Sequence, residues 1–525
     1  MNLPKIFIVA ITFLLPFTSC NNYLDINENP NKVLEGNLQP NNIFPGAVSE
    51  TFRVHARDLV NLGALYTNYI GTNSAVYGNG NDPEFMLTLN TSFYSALWDG
   101  TLRGVNNLQI IIDKAHENPI YIYYSGMAKI MKVFYMQTIV DLYGDIPYTE
   151  AFGEKSRLTP AYEKDSDIYG KMFKELDEAL VELDDPNKNK DRAIPGNEDI
   201  VFRGDRLKWK AFANNIKLRM IIRMSNAKGE LAKVRNQQLI SLRGAAFLNE
   251  DVVVNPGYSA ANDDSQNPFT NYFFASSGRT LSQAFRMDTA SGHLAICLNS
   301  NDKNDATPFY QKFNGIQDGR KSRMFSVDKN NRVIGVKQGV RPGDPDMAVE
   351  RPISSFGPGW FTKGERNLES ASSRGGALMT KSEIDFLKAE ASLKYPDLGI
   401  QGKTAFESGI KASFNYLDAQ GATDYIAKIN TVKRLGWLGS NDEKLDAIMT
   451  QKWLALGLVA PIQVFFDYNR TGYPYIPLSK RAVQNNKPYR LMYPNSELAA
   501  NSQNVPKLSA SECFSKNAFT PFWLK

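Results

Sequence analysis

The chain has 525 residues, with 60 Lys and Arg against 55 Asp and Glu, and a formal charge of +5. So small an excess, without a dense basic cluster, excludes the electrostatic footprint of a nucleic-acid binder. Apolar residues make up 42%, and a chain this long can bury a large core without disulfide staples.

Met1–Lys5 carries one positive charge, and Ile6–Phe17 is an apolar run broken only by Thr12 and Pro16. A bilayer span needs about twenty apolar residues, so this run is too short. Phe17-Thr18-Ser19-Cys20 places small polar residues before a cysteine. The pattern is a leader over 1–19 with Cys20 as the lipidated first mature residue; Phe17, where Leu is usual, is its one departure. Cys297 and Cys513 then remain. They either pair or, as the large core favours, stay two buried apolar thiols.

Helical periodicity dominates both ends of the mature chain. Segments at about 45–70, 92–116, 121–142, 206–225 and 403–418 read as helices. Between them, Ile168, Met172, Leu176, Leu180 and Leu183 line one face, with Lys171, Lys174, Glu175, Glu178 and Glu182 on the other. Thr380-Lys-Ser-Glu383 has the form of a capping box and opens a helix striped by Ile384, Leu387 and Ala391. Leu445, Ile448, Met449, Trp453 and Leu456 stripe another. Helices fall in neighbouring pairs, 92–116 with 121–142, 166–184 with 206–225, 380–394 with 403–418, and 442–457 with 460–470. Small residues (Ala128, Ala179, Ala389, Ala391, Gly409, Ala412) stand where the pairs would touch. The expected fold is mainly α, about four tetratricopeptide-like helical pairs supporting a loop-rich, irregular part. One domain over 20–525 is expected, with helical scaffold at about 42–245 and 376–475. Between 246 and 375 the period fades into Gly-, Asn-, Asp- and Ser-rich sequence carrying aromatics, the composition of functional loops.

Familiar chemistries fail on inspection. Gly402-Lys403-Thr404 ends like a P-loop, but Asp397 stands at the first glycine position. Asp25-Ile-Asn27-Glu-Asn29-Pro30 opens like a calcium loop, but Pro30 replaces the required glycine and Gly36 the closing glutamate. His55, His116 and His293 share no ligand spacing. No metal, cofactor or catalytic residue is assigned. Asp184-Asp185 and Asp263-Asp264 read as solvated loop charges, although abundant carboxylates keep a helical glycoside hydrolase as a third reading.

Five strings resemble the SusD/RagB family of nutrient-binding outer-membrane lipoproteins, in that family's order: Leu24-Asp-Ile-Asn-Glu-Asn-Pro-Asn31; Asp141-Leu-Tyr-Gly-Asp-Ile-Pro-Tyr-Thr-Glu-Ala-Phe152, its most recognisable signature; Met379-Thr-Lys-Ser-Glu-Ile-Asp-Phe-Leu-Lys-Ala-Glu-Ala391; Ile448-Met-Thr-Gln-Lys-Trp453 running on to Phe466-Asp-Tyr-Asn-Arg-Thr-Gly-Tyr-Pro474; and Pro488-Tyr-Arg-Leu-Met-Tyr-Pro-Asn-Ser-Glu497. Each also has a local meaning. Gly144 supplies a left-handed residue at a helix end and Pro147 stops the helix resuming. Asp141 and Asp145 are placed to accept from turn amides, and Arg470 and Glu390 read as partners in a buried network. The resemblance implies a non-enzymatic, lipid-anchored protein on the outer face of the outer membrane of Bacteroidota. It implies a partner, a SusC-like TonB-dependent transporter, to which the protein delivers an oligosaccharide or, as in RagB-like members, a peptide.

A neutral glycan needs aromatic platforms beside amide and charged side chains. Tyr69, Asn73, Tyr77 and Asn79 supply that mixture in one region, and Tyr272, Phe274 and Trp360 in the 255–375 loops. For each, core packing or contact with the transporter barrel is the competing reading. Asp288-Thr289-Ala290 also fits a protein O-glycosylation sequon of the same bacterial group.

Overall fold

The structure is a computed structural model that describes residues 38–78, 80–153, 156–184, 191–275, 280–347, 352–365 and 367–525. The expected leader over 1–19, Cys20, the Leu24–Asn31 string and Asn79 lie outside the described residues. Residues 40–525 form one unit.

The segment expected as one helix over 45–70 is three pieces. Helix α1 (Pro40–Val54) runs through a π turn, His55–Leu59, into α2 (Val60–Tyr66). His55 holds the wide turn in place: its Nε2 lies 3.0 Å from Thr101 Oγ1 and its ring meets the Tyr135 ring edge-on at 4.9 Å. The strand β1 (Ile70–Thr72) follows. Helices α3 (Ser95–Glu117) and α4 (Ile122–Tyr143) form an antiparallel pair joined through a turn capped by Asn118, whose side chain accepts from the Ile120 amide.

Every residue of α4 from Tyr123 to Tyr143 is buried, which makes it the hub of the first half. Burial on all sides forces its lysines to find partners. Lys129 donates to Glu178 (2.8 Å) and Glu182 (2.6 Å), and Lys132 to Glu175 (2.8 Å), all on α5 (Asp165–Glu182). Helix α5 turns Ile168, Met172, Leu176 and Ala179 inward, as its two-faced pattern predicts. Helices α6 (Arg206–Arg223) and α7 (Gly229–Ser241) follow, α6 capped by Asp205, which accepts from the Lys208 amide at 3.1 Å.

The irregular part crosses back to the scaffold by short antiparallel ladders. The strand β2 (Val252–Val254) pairs with β4 (Gly376–Met379), and β1 with β3 (Asp288–Ala290). Helix α8 (Gly292–Leu298) follows β3. The second half of the scaffold is α9 (Lys381–Lys394) with α10 (Gly402–Leu417), and α11 (Asn441–Leu456) with α12 (Pro461–Thr471). The mainly helical expectation is met, with short strands only. No helix among the described residues is long and apolar enough to cross a membrane.

Two local expectations are corrected. Thr380 does cap α9, accepting from the Glu383 amide at 3.2 Å, but the Glu383 side chain does not return to close a box. It is fully buried and faces Arg219 of α6 at 3.5 Å. Complete capping boxes stand instead at Ser440/Glu443 and Ser509/Glu512. Asp141 accepts from the Tyr169 hydroxyl (2.6 Å) and Arg223 Nε (2.9 Å), not from turn amides. Gly144 does take positive φ, +71°, and Asp145 does accept from a backbone amide, that of Asp165, at 3.1 Å.

Asp141 belongs to a buried ionic network between the two halves. Arg223 also donates to Gln463 (2.7 Å) and lies 4.5 Å over the Phe466 ring. Arg470 forks onto both oxygens of Glu390, at 2.6 and 2.8 Å, and reaches Asp467 at 2.8 Å, which Lys452 meets at 2.7 Å. Cys297 and Cys513 are separate, buried, free thiols.

Candidate ligand-binding site

The irregular part and the segment after α12 line a recess of about 590 Å3, within the range of small-ligand sites. Side-chain ties to backbone set its shape. Ser291 caps α8 by accepting from the Leu294 amide at 3.0 Å, and donates to the Asn68 carbonyl at 2.6 Å, fixing α8 to the end of α2. Asn299 exchanges two hydrogen bonds with the backbone of Val333, at 2.8 and 2.9 Å. Gln338 donates to the carbonyls of Leu65 (3.0 Å) and Ile70 (2.6 Å). Three chain segments thereby become one rigid wall.

The recess has two chemical faces. His293, Tyr310 and Tyr475 line one of them. Behind them the His293 ring stacks on Phe309 at 5.3 Å and meets Trp453 at 5.0 Å. Its Nδ1 lies 2.8 Å from the Tyr310 hydroxyl. Burial, with Lys487 nearby, pushes His293 down to about 3, so the imidazole is neutral. Tyr475 is 45% exposed, an aromatic surface available for stacking at the rim. The other face carries Asp302, Lys303, Asp305, Arg332, Lys337 and Asp346, three charges of each sign. Arg332 is held by Asp328 at 2.8 Å and Lys337 by Asp346 at 3.1 Å. The Thr307 amide holds Asp305 below the usual carboxylate range, and the ammonium groups of Lys337 and Lys480 do the same for Asp346.

The residues singled out from sequence fall elsewhere. Tyr69, Phe274 and Trp360 are core. Tyr69 is fully buried, edge-on to Trp360 (6.1 Å) and Trp453 (5.8 Å), with its hydroxyl donating to the Leu454 carbonyl at 3.3 Å. A Cβ on Gly457 would stand 2.0 Å from the Tyr69 ring, so only glycine admits that packing. Phe274 packs on Phe361 at 4.8 Å, and Trp360 donates its indole N–H to the Met324 carbonyl at 3.1 Å. Asn73, Tyr77 and Tyr272 are half-buried near β1 and β3, with Arg57 lying 5.7 Å over the Tyr272 ring; none of them lines the recess. Thr289 of the glycosylation sequon is 2% exposed and donates to the Ser354 carbonyl inside the ladder. Among the described residues no group of three His, Cys, Asp or Glu is placed to hold a metal.

The sequence reading did not single out His293, Tyr310 or Tyr475, which line the recess. The available signal was Tyr473-Pro474-Tyr475, an aromatic–proline run immediately beyond a helix end, where the chain cannot continue helical and must present its side chains on an irregular path.

Comparison with known proteins gives the following. A family model, SusD-like_2, described as "Starch-binding associating with outer membrane", matches residues 31–494. No curated protein matches. Among solved structures, a chitin-binding SusD homolog from Flavobacterium johnsoniae superposes with a TM-score of 0.69 at 22% identity, covering 93% of this chain and 98% of that one. A SusD homolog from Bacteroides uniformis gives 0.65 at 22%, covering 92% and 99%. A SusD-like protein described as from Bacteroidetes gives 0.66 at 19%, covering 93% and 99%. At these identities the structures speak to the fold.

Proposed function

The chain belongs to the SusD-like family, and from that premise we propose that it captures a neutral oligosaccharide at the outer membrane. The recess is the proposed seat, and one observation carries it: an exposed tyrosine ring stands beside a rigid polar wall whose charges cancel. A sugar ring presents a flat C–H face and a fringe of hydroxyls, which suit Tyr475 and the opposite wall respectively. Charge balance favours a neutral glycan over a polyuronate, which would need a net positive rim. A family description that includes starch binding, and similar structures described as chitin-binding, support this class of cargo.

Binding without hydrolysis is the supported chemistry. A glycosidase acid needs a carboxyl held up towards neutrality, whereas Asp305 and Asp346, two of the three carboxyls in the lining, are held down. In this reading Cys20 carries the lipid anchor, the protein faces the exterior, and a SusC-like TonB-dependent transporter receives the glycan.

The test is titration calorimetry with malto-, chito- and galacturonate oligosaccharides and a peptide mixture. A neutral oligosaccharide should bind, and Tyr475→Ala should weaken it about fivefold or more, the effect of about 1 kcal/mol or more from one lost aromatic contact. Binding of peptides alone, or of no neutral glycan, refutes the cargo. Co-purification of a large β-barrel with the tagged protein tests the partner, and loss of lipid labelling in Cys20→Ala tests the anchor.

A further inference from the structure

A second, much smaller space lies where the π turn meets four helices, and it shares no lining residue with the recess. It holds about 50 Å3, room for a few water molecules and nothing larger. The π turn shapes one side through His55, Ala56 and Leu59. The polar lining comes from Thr138 on α4, Arg219 on α6, Glu383 on α9 and Gln463 on α12.

These groups are buried, and their hydrogen-bonding capacity exceeds what the protein supplies. Glu383 has no solvent exposure; its Oε1 meets Arg219 Nη1 only at 3.5 Å, and its Oε2 has no partner among the described residues. Arg219 commits Nε to Gln137 at 2.8 Å, while Nη2 reaches the Phe134 carbonyl only at 3.5 Å. Gln463 gives its carbonyl to Arg223 and has its NH2 left to satisfy. A buried carboxylate oxygen facing a polar space without a donor is a costly arrangement. A metal cation does not fit, because Arg219 already supplies the positive charge and Glu383 is the single carboxylate in the lining. His55 adds no charge, since burial, with Arg219 beside it, pushes it down to about 3.

We infer that this cavity is an internal hydration site, whose water donates to Glu383 Oε2 and is held in turn by Thr138, Gln463 and Arg219. Such water makes up to four bonds and completes a polar junction that direct contacts leave open. It ties α4, α6, α9 and α12 to the π turn, so the irregular turn in the first helix becomes part of the scaffold's central joint.

A high-resolution crystal structure of the full mature protein tests this directly. At least one ordered water should lie within hydrogen-bond distance of Glu383 Oε2; a dry cavity, or one filled by a side chain, overturns the inference. Ala56→Val, which pushes methyl groups into the space, gives an independent readout by urea denaturation. Displacing water that a carboxylate needs should lower the unfolding midpoint, whereas filling a dry cavity should raise it. A midpoint that rises or stays in place overturns the inference.

Discussion

Lys487 offers the sharpest test of the packing around the recess. It is 3% exposed and lies close enough to His293 to depress that ring's basicity. Burial alone pushes its amine from 10.5 down to about 7. Each pH unit in that gap corresponds to about 1.4 kcal/mol, so at pH 7 the buried amine costs the fold about 4 kcal/mol. The sign follows from proton counting. Between about 7 and 10.5 the unfolded chain keeps the proton that the folded chain has released, so stability rises with pH across this window. It is lost as pH falls towards 7 and levels off below. Lys487→Met keeps the stem and removes the amine. The variant should be more stable at pH 7 by up to about 4 kcal/mol, and its stability should no longer climb between pH 7 and 10 beyond what other groups contribute. Urea titrations at several pH values read both quantities. A variant that is no more stable at pH 7, or that climbs as the parent does, would show that the amine escapes to water or finds an acceptor, and the reasoning would fail.

Asp288 should behave in the opposite sense. Burial, with Glu84 nearby and despite the Asn81 amide at 2.9 Å, raises its carboxyl to about 7, so stability should fall as pH rises from 3.8 to 7, and Asp288→Asn should remove that fall. Arg470→Met strips Glu390 of its bidentate partner in the core, while Asp467 keeps Lys452, and should destabilise by about 3–5 kcal/mol in urea, with a smaller loss when Glu390→Leu is added. The buried thiols of Cys297 and Cys513, both raised by burial, should stay unreactive to a thiol reagent in the native protein, and reductant should leave the melting temperature unchanged.

What the sequence disclosed, and what it hid, separates by the range of the interactions involved. Helix α5 was legible because its apolar stripe recurs in adjacent turns, although Glu175, Glu178 and Glu182 of its charged side turn to the buried lysines of α4 as well as to water. The Thr380 cap was legible for the same reason, since a side chain and the amide three residues on are local partners. The role of Glu383 was not, because the group that claims it, Arg219, is 164 positions away. Arg470 and Glu390 were read as network partners, but their bidentate contact, 80 positions apart, needed the fold.

The same distinction explains the displaced candidate site. Composition correctly marked the irregular part as rich in aromatics, yet an aromatic in a loop carries no local sign of which way it faces. Tyr69 turned inward because Gly457, far along the chain, leaves room for its ring. Tyr475 turned outward because the side of the recess beneath it is already filled by His293, Phe309 and Tyr310. Exposure of one ring is thus a consequence of how completely others are packed. The stacking surface of such a site is found by asking which aromatic the core could not accommodate, not by counting aromatics in loops.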